Sequence, residues 1–147
     1  MTTDSVTTYT IQEVSKRSGL SIPTLRYYEE MGLIPLVSRD SSSGHRRYSP
    51  EIMQLIESLA NLRTVGMSLE EMRAYLILRD QGDESAQERR DMFKLHAKAI
   101  DDQIAQLKTR KRYLAFKVAY WDARLRGNIA EAERIAEEYE SIVSALR

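Results

Sequence analysis

An all-α fold with a small β wing is what this sequence predicts, and three observations predict it. Apolar residues recur at helical spacing along nearly the whole chain. The six glycines, Gly19, Gly32, Gly44, Gly66, Gly82 and Gly127, all fall between those periodic runs. One stretch alone reads as extended: Pro35, Val37, then Arg39-Asp40-Ser41-Ser42-Ser43-Gly44-His45-Arg46-Arg47-Tyr48. The expected order is a head over residues 1–80, a polar linker at 81–84, a long helix over 85–126 and a short C-terminal helical region over 127–147.

The head opens with Thr10-Ile11-Gln12-Glu13, a capping box in which threonine and glutamate satisfy each other's backbone donors, and this first helix ends near Gly19. A second starts at Ser21 as N-cap, tolerates Pro23 in its first turn and stops at Gly32. Leu25, Tyr28 and Met31 share its inner face, which leaves Thr24, Arg26, Tyr27 and Glu30 outside. Two short helices across a tight glycine turn have the layout of a helix-turn-helix, whose second helix enters a DNA major groove; an αα-hairpin inside a core has the same layout. Residues 35–49 weigh toward the first reading. They fit a β-hairpin with a polar tip and a basic returning arm, the make-up of a wing laid on a phosphate backbone, with Ser43, His45, Arg46 and Arg47 as donors. Ser49-Pro50 then starts a third helix with Ile52, Leu55, Ile56, Leu59 and Leu62 on one stripe and Arg63 projecting near its end. Ser68-Leu69-Glu70-Glu71 caps a fourth, running through Met72, Tyr75, Leu76 and Leu78 toward Asp80.

Beyond the linker, Phe93, Ile100, Leu107, Leu114 and Trp121 fall seven apart, accompanied by Ala97, Ile104 and Val118 and interrupted by Lys111. No Gly or Pro occurs from Ser85 to Arg126. A helix of about 36 residues would run about 54 Å, too long to bury its seam against so small a head, so a second copy of the chain is the simplest partner. Folding back onto the C-terminal tail is the alternative. That tail turns at Gly127-Asn128 and carries one last helix with Ile135, Tyr139, Ile142, Val143 and Leu146 on its apolar face. Tyr113, Phe116, Tyr120, Trp121 and Tyr139 concentrate near this turn, either as a pocket for a flat or cationic apolar molecule or as ordinary packing.

Composition excludes more than it assigns. The chain has no cysteine, which removes disulfides, thiolate metal sites and thiol redox sensing, and its two histidines, His45 and His96, are far apart in sequence. No metal and no cofactor are expected. No nucleophile–base pair or phosphate loop emerges, so a binder is expected rather than an enzyme. Net charge is zero, with nine Lys/Arg against ten Asp/Glu up to Asp80, so DNA binding must rest on where the arginines sit. With 42% apolar and 30% charged residues the chain is expected to fold, and no apolar run approaches the roughly 18 residues a membrane span needs. Met1–Thr8 is polar and without a signal core, so a cytoplasmic protein with a frayed N-terminus is expected.

Leu25-Arg26-Tyr27-Tyr28-Glu29, Gly32-Leu33-Ile34, Arg46-Arg47-Tyr48 and Gly66-Met67-Ser68-Leu69 together resemble the winged-helix domain of the MerR family of bacterial transcription regulators. The likeness covers about the first eighty residues closely, and the long helix agrees in position with the family's dimerisation helix. It implies a homodimer whose two heads sit at the ends of an antiparallel coiled coil and address a pseudo-palindromic promoter operator. On that reading Arg26 and Tyr27, helped by Thr24, enter the major groove, while Arg46, Arg47, Ser43, His45 and Arg63, the last in a second wing, hold phosphates; Thr10 and Ser21 complete the DNA-facing set. Phe93, Ala97, Ile100, Ile104, Leu107, Leu114 and Val118 would form the dimer seam. The resemblance further implies that the DNA is bent and untwisted to realign promoter elements for RNA polymerase, with activation and repression both open. Residues 107–126, with Tyr120-Trp121-Asp122, are similar to the aldehyde- and nitrosative-stress branch, but the position of its sensing cysteine is Asn61 here. That leaves a small organic ligand, a protein partner or no effector. An inducer-independent DNA-bending architectural protein and a coiled-coil adaptor are the alternatives.

Overall fold

A computed structural model of the chain describes residues 7–147. The N-terminal stretch expected to fray is therefore mostly outside the described residues, and its last member, Thr8, is held: Arg47 Nε donates to Thr8 Oγ1 at 2.8 Å and Nη2 to the Thr8 carbonyl at 3.3 Å. The helices are α1 (Ile11–Ser18), α2 (Ile22–Glu30), α3 (Pro50–Thr64), α4 (Leu69–Asp80), α5 (Ala86–Leu125), α6 (Ile129–Ala136) and α7 (Tyr139–Ser144). Residues 81–84, expected as a linker, lead through a single 3-10 turn, Gly82–Ser85, into α5. Two compact units result, one up to Met92 and one from Phe93 on.

Local chemistry accounts for the helix ends. Thr10 and Glu13 form the reciprocal cap of α1, and Gly19 closes it in the left-handed region at φ 78, where a Cβ would clash with its own backbone. Ser21, Ser49 and Ser68 each accept an amide hydrogen bond at the start of α2, α3 and α4. The last carbonyls of α2 receive an unexpected donor: Arg73 on α4 bonds the Met31 carbonyl at 2.6 Å. In the first unit Val14, Leu25, Tyr28, Met53, Ile56, Leu59 and Met72 meet in one core, with Met92 packed against it. The inner and outer faces of α2 fall as its spacing predicts, with Leu25 and Tyr28 buried and Arg26 and Tyr27 outside. On α3 the stripe is shifted: Met53 is buried while Ile52 and Leu55 are only half-buried.

Two expectations need correction. The wing forms no regular ladder; among the described residues the only pairings are the isolated bridges Arg39↔Arg46 and Tyr9↔Tyr48. Pro35 has no amide to pair, and the tip spends its amides locally, since the Asp40 carboxylate accepts from Ser42 and Ser43. The second bridge was not expected and ties the returning arm to the residues ahead of α1, with Tyr9 N to Tyr48 O at 2.8 Å and Tyr48 N to Tyr9 O at 2.9 Å. The single last helix is in fact two, interrupted at Glu137–Glu138. Glu133 and Glu137 are like charges four apart, and Glu137, Glu138 and Glu140 crowd the negative end of α6, both of which oppose continuation.

In the second unit α6 and α7 pack on α5. Phe116 and Ala123 of α5 are buried with Ala132 of α6 and Ile142 of α7. Phe116 and Ala123 each lie nine residues from a seam leucine, Leu107 and Leu114, which is about half a turn round at 3.6 residues per turn. The tail therefore covers the back of α5 and leaves the heptad seam open. No helix among the described residues is long and apolar enough to cross a membrane.

Candidate nucleic-acid interface

Helix α2 stands between two concavities of the first unit. On one side is an open cavity of about 440 Å³ that brings together Thr10, Arg26, Ser43, His45, Arg46 and Arg47, six of the residues singled out from sequence. On the other, a shallower one of about 280 Å³ is lined by Thr24, Tyr27 and Arg63. Ser21 lines neither; its hydroxyl caps α2, accepting the Thr24 amide at 3.2 Å and sharing a 2.8 Å hydrogen bond with the Thr24 hydroxyl. Thr10 is likewise occupied as the cap of α1, accepting from Glu13 N at 3.2 Å. Thr10 and Ser21 thus act first as helix caps, while Thr24 keeps hydroxyl acceptor capacity beside its bond to Ser21.

The arginines divide into two kinds. Arg26 and Arg63 are exposed and make no hydrogen bond or ion pair among the described residues, so their guanidinium groups are available to an outside acceptor. Arg46 and Arg47 are half-buried and engaged. Arg46 Nε lies 3.1 Å from Glu29 Oε2 and donates to Oε1 at 3.4 Å. Arg47 is spent on Thr8, as above. The expectation that both clamp phosphate with unencumbered side chains is corrected to that extent. Tyr27 is 47% exposed, its ring tilted against that of Tyr28 with centroids 6.4 Å apart, so the inner tyrosine props the outer one.

The wing tip is organised by Asp40. Its carboxylate accepts from the Ser42 hydroxyl and from the Ser42 and Ser43 amides, which holds its pKa down to about 2. Arg39 Nη1 donates to the Gly44 carbonyl at 3.1 Å across the same tip. Ser43 and His45 are exposed there, and the His45 amide donates to Ser43 Oγ at 3.3 Å. The sequence puts Arg39 in the extended stretch but not among the DNA-facing residues, although it lines the larger cavity with Ile11 and Gln12 at the start of α1. Sequence reasoning also missed Glu29, whose side chain is 9% exposed. Nothing in a single glutamate on a helix announces an inward partner seventeen residues on.

In the second unit the seam residues Phe93, Ala97, Ile100, Ile104, Leu107, Leu114 and Val118 are all exposed. The five aromatics near the last turn do not share one chamber. Phe116 and Tyr139 meet at 6.2 Å, and Lys117 Nζ sits 5.7–5.9 Å from the rings of Tyr113, Phe116 and Tyr139, so the chain's own ammonium occupies the cationic position. Tyr120 and Trp121 form a separate edge-on pair at 5.2 Å. Among the described residues no group of three or more His, Asp or Glu is placed to hold a metal ion.

The geometry has counterparts among known proteins. Residues 9–77 match the MerR HTH family regulatory protein family, and residues 51–115 match the family MerR, DNA binding. An uncharacterized HTH-type transcriptional regulator of Haemophilus influenzae is 34% identical over 114 residues, 78% of this chain and 84% of that one. The HTH-type transcriptional regulator AdhR of Bacillus subtilis is 40% identical over 82 residues, 56% of this chain and 58% of its own. Among solved structures, HiNmlR, a MerR family regulator lacking the sensor domain and bound to promoter DNA, is 32% identical with a TM-score of 0.67, covering 88% of this chain and 96% of that one. This chain places a helix-turn-helix with its outer arginine and tyrosine exposed, an arginine-rich wing and a long helix in that order, and on these matches it belongs to the MerR family of DNA-binding transcription regulators.

Proposed function

We propose that the chain acts as a homodimer that binds a pseudo-palindromic promoter operator, bends and untwists it, and so reaches RNA polymerase through the DNA. What carries the reading is α2: its exposed Arg26 and Tyr27 stand between a wing-lined cavity on one side and Arg63 on the other, a surface with donors spaced along a convex helix. Arg26, Tyr27 and Thr24 face base edges; Arg63 and the wing residues Ser43 and His45 face phosphates. The open seam from Ile100 to Val118 supports pairing with a second copy, which the family resemblance makes antiparallel, because a row of exposed large apolar side chains at heptad spacing favours being covered in water. The promoter-bound relative supports promoter DNA as the target. Bending is a deformation cost that the helix and wing contacts of two heads offset.

Control by a thiol is no part of the proposal, since the chain has no cysteine. A cationic organic effector directed at the Phe116–Tyr139 contact would have to displace Lys117 from the rings. A footprint on the DNA adjoining the protein's own gene, followed by binding at a series of salt concentrations, tests the core of the reading. Two protected half-sites about one or more helical turns apart, with affinity falling steeply as salt rises, are expected. Binding without a salt slope would point to a protein-binding adaptor instead. Transcription from a promoter with a lengthened spacer separates a regulator from a passive bender.

A further inference from the structure

We propose that Arg46 acts on DNA affinity as a positioning residue, through an ionic strut to Glu29 that fixes the wing against the reading helix, and not as a phosphate contact of its own. The inference rests on α2 and the wing being the DNA-facing surface. Glu29 follows Leu25 by four residues and so lies toward the inner side of α2, while Arg46 belongs to the returning arm of the wing. The two side chains are only 9% and 26% exposed, and Nε and Oε2 are 3.1 Å apart. A carboxylate enclosed to that degree attracts its counter-charge strongly, and stranding it would be costly. Arg46 borders the open cavity, but the Glu29 side is enclosed: the neighbouring Tyr48 is buried, its hydroxyl has no hydrogen-bond partner among the described residues, and burial together with the Glu29 charge pushes its pKa up. The pair is also the only ion pair between α2 and the wing among the described residues. The Tyr9–Tyr48 bridge and the Arg47–Thr8 bonds tie the base of the returning arm to the residues ahead of α1, and because the wing lacks a ladder and holds itself by one bridge, the Glu29–Arg46 contact is the tie from its returning arm to α2 itself.

The rival role gives the opposite sign in a simple experiment. If Arg46 is a strut, Glu29→Gln loosens the wing and weakens binding, even though removing a negative charge from the DNA side should by itself strengthen it. If Arg46 grips phosphate, Glu29→Gln frees it, and binding is unchanged or tighter. The measurement is affinity of the full chain for a duplex selected by the wild-type protein from random sequence, across a salt series. With the wing ordered in only about a tenth of molecules, Glu29→Gln and Arg46→Gln should each weaken binding about tenfold. In the double variant two neutral amides face each other and no charge is stranded, so most of that loss should be recovered, with the slope of log K against log salt unchanged throughout. A double variant as weak as Arg46→Gln with a slope smaller by about 0.9 per head would assign Arg46 to a phosphate and overturn the strut. So would Glu29→Gln binding as tightly as wild type. Backbone amide signals of residues 39–46 should move in Glu29→Gln while those of α3 stay, which uniform destabilisation would not produce; signals that stay put along the wing overturn the proposal as well. Wild-type protein showing no salt-dependent duplex binding would instead remove the assignment of the surface itself.

Discussion

Leu107→Asp is the sharpest test of pairing through α5. Leu107 is 58% exposed in the single chain. Fully burying a leucine contributes about 1.5–3 kcal/mol, so covering the remaining half contributes about 1–1.5 kcal/mol per copy. Aspartate forfeits that and sets a polar group against apolar surface, costing about 1–3 kcal/mol more by mutational measures. Both copies carry the change, so association should weaken by about 4–9 kcal/mol, roughly three to six orders of magnitude in Kd. A nanomolar dimer would become a monomer at micromolar concentration, which sedimentation velocity reads directly. Lys98→Asp is the control, since it lies nine residues before Leu107, about half a turn round the same helix, and should leave the dimer intact. A Leu107→Asp chain that still sediments as a dimer at micromolar concentration would refute the seam.

Three further outcomes are expected. Arg26→Ala should cost about 1–3 kcal/mol of specific binding and relax the preferred sequence at one position of each half-site, as read by selection from random duplexes; an unchanged preference would retire Arg26 as a base reader. Arg63→Ala should weaken binding to all sequences alike and lower the salt slope by about 1 per head, and an unaltered slope would return it to the ordinary surface. Asp40 predicts an acid transition confined to the wing tip. Its folded pKa, about 2, lies below the ordinary 3.8, so its contribution is complete above that value and is lost as pH falls from 3.8 through about 2. The amide signals of Ser42 and Ser43 should therefore titrate near 2, and a midpoint near 3.8 would mean the turn does not depend on the carboxylate.

Much of the molecule is legible in one dimension because the forces that make it are local. Thr10 with Glu13 and Ser68 with Glu71 lie three residues apart and form the caps their spacing implies. The heptad from Phe93 to Trp121 can be read without coordinates, since an unbroken helix brings every seventh residue to one face. The division of α2 into a buried and an outer side follows from the same periodicity. Where local preferences compete the reading fell short: the two arms of the wing pair only at Arg39↔Arg46 while Asp40 draws the tip amides to itself, and the last helix is cut where glutamates crowd.

Only the folded chain could decide which arginines are free. The sequence determined that Arg26, Arg46, Arg47 and Arg63 gather around a helix-turn-helix, and that no cysteine is present to sense anything. Tertiary structure decided that Glu29 engages Arg46 from seventeen residues away and Thr8 engages Arg47 from thirty-nine, while Arg26 and Arg63 have no hydrogen-bond or ion-pair partner among the described residues. It also decided that the tail covers the back of α5 rather than its seam, and that Lys117 fills the aromatic cluster. A charge's partner depends on which surfaces packing brings within a few ångströms, and in water-poor surroundings that proximity outweighs any property the residue carries alone.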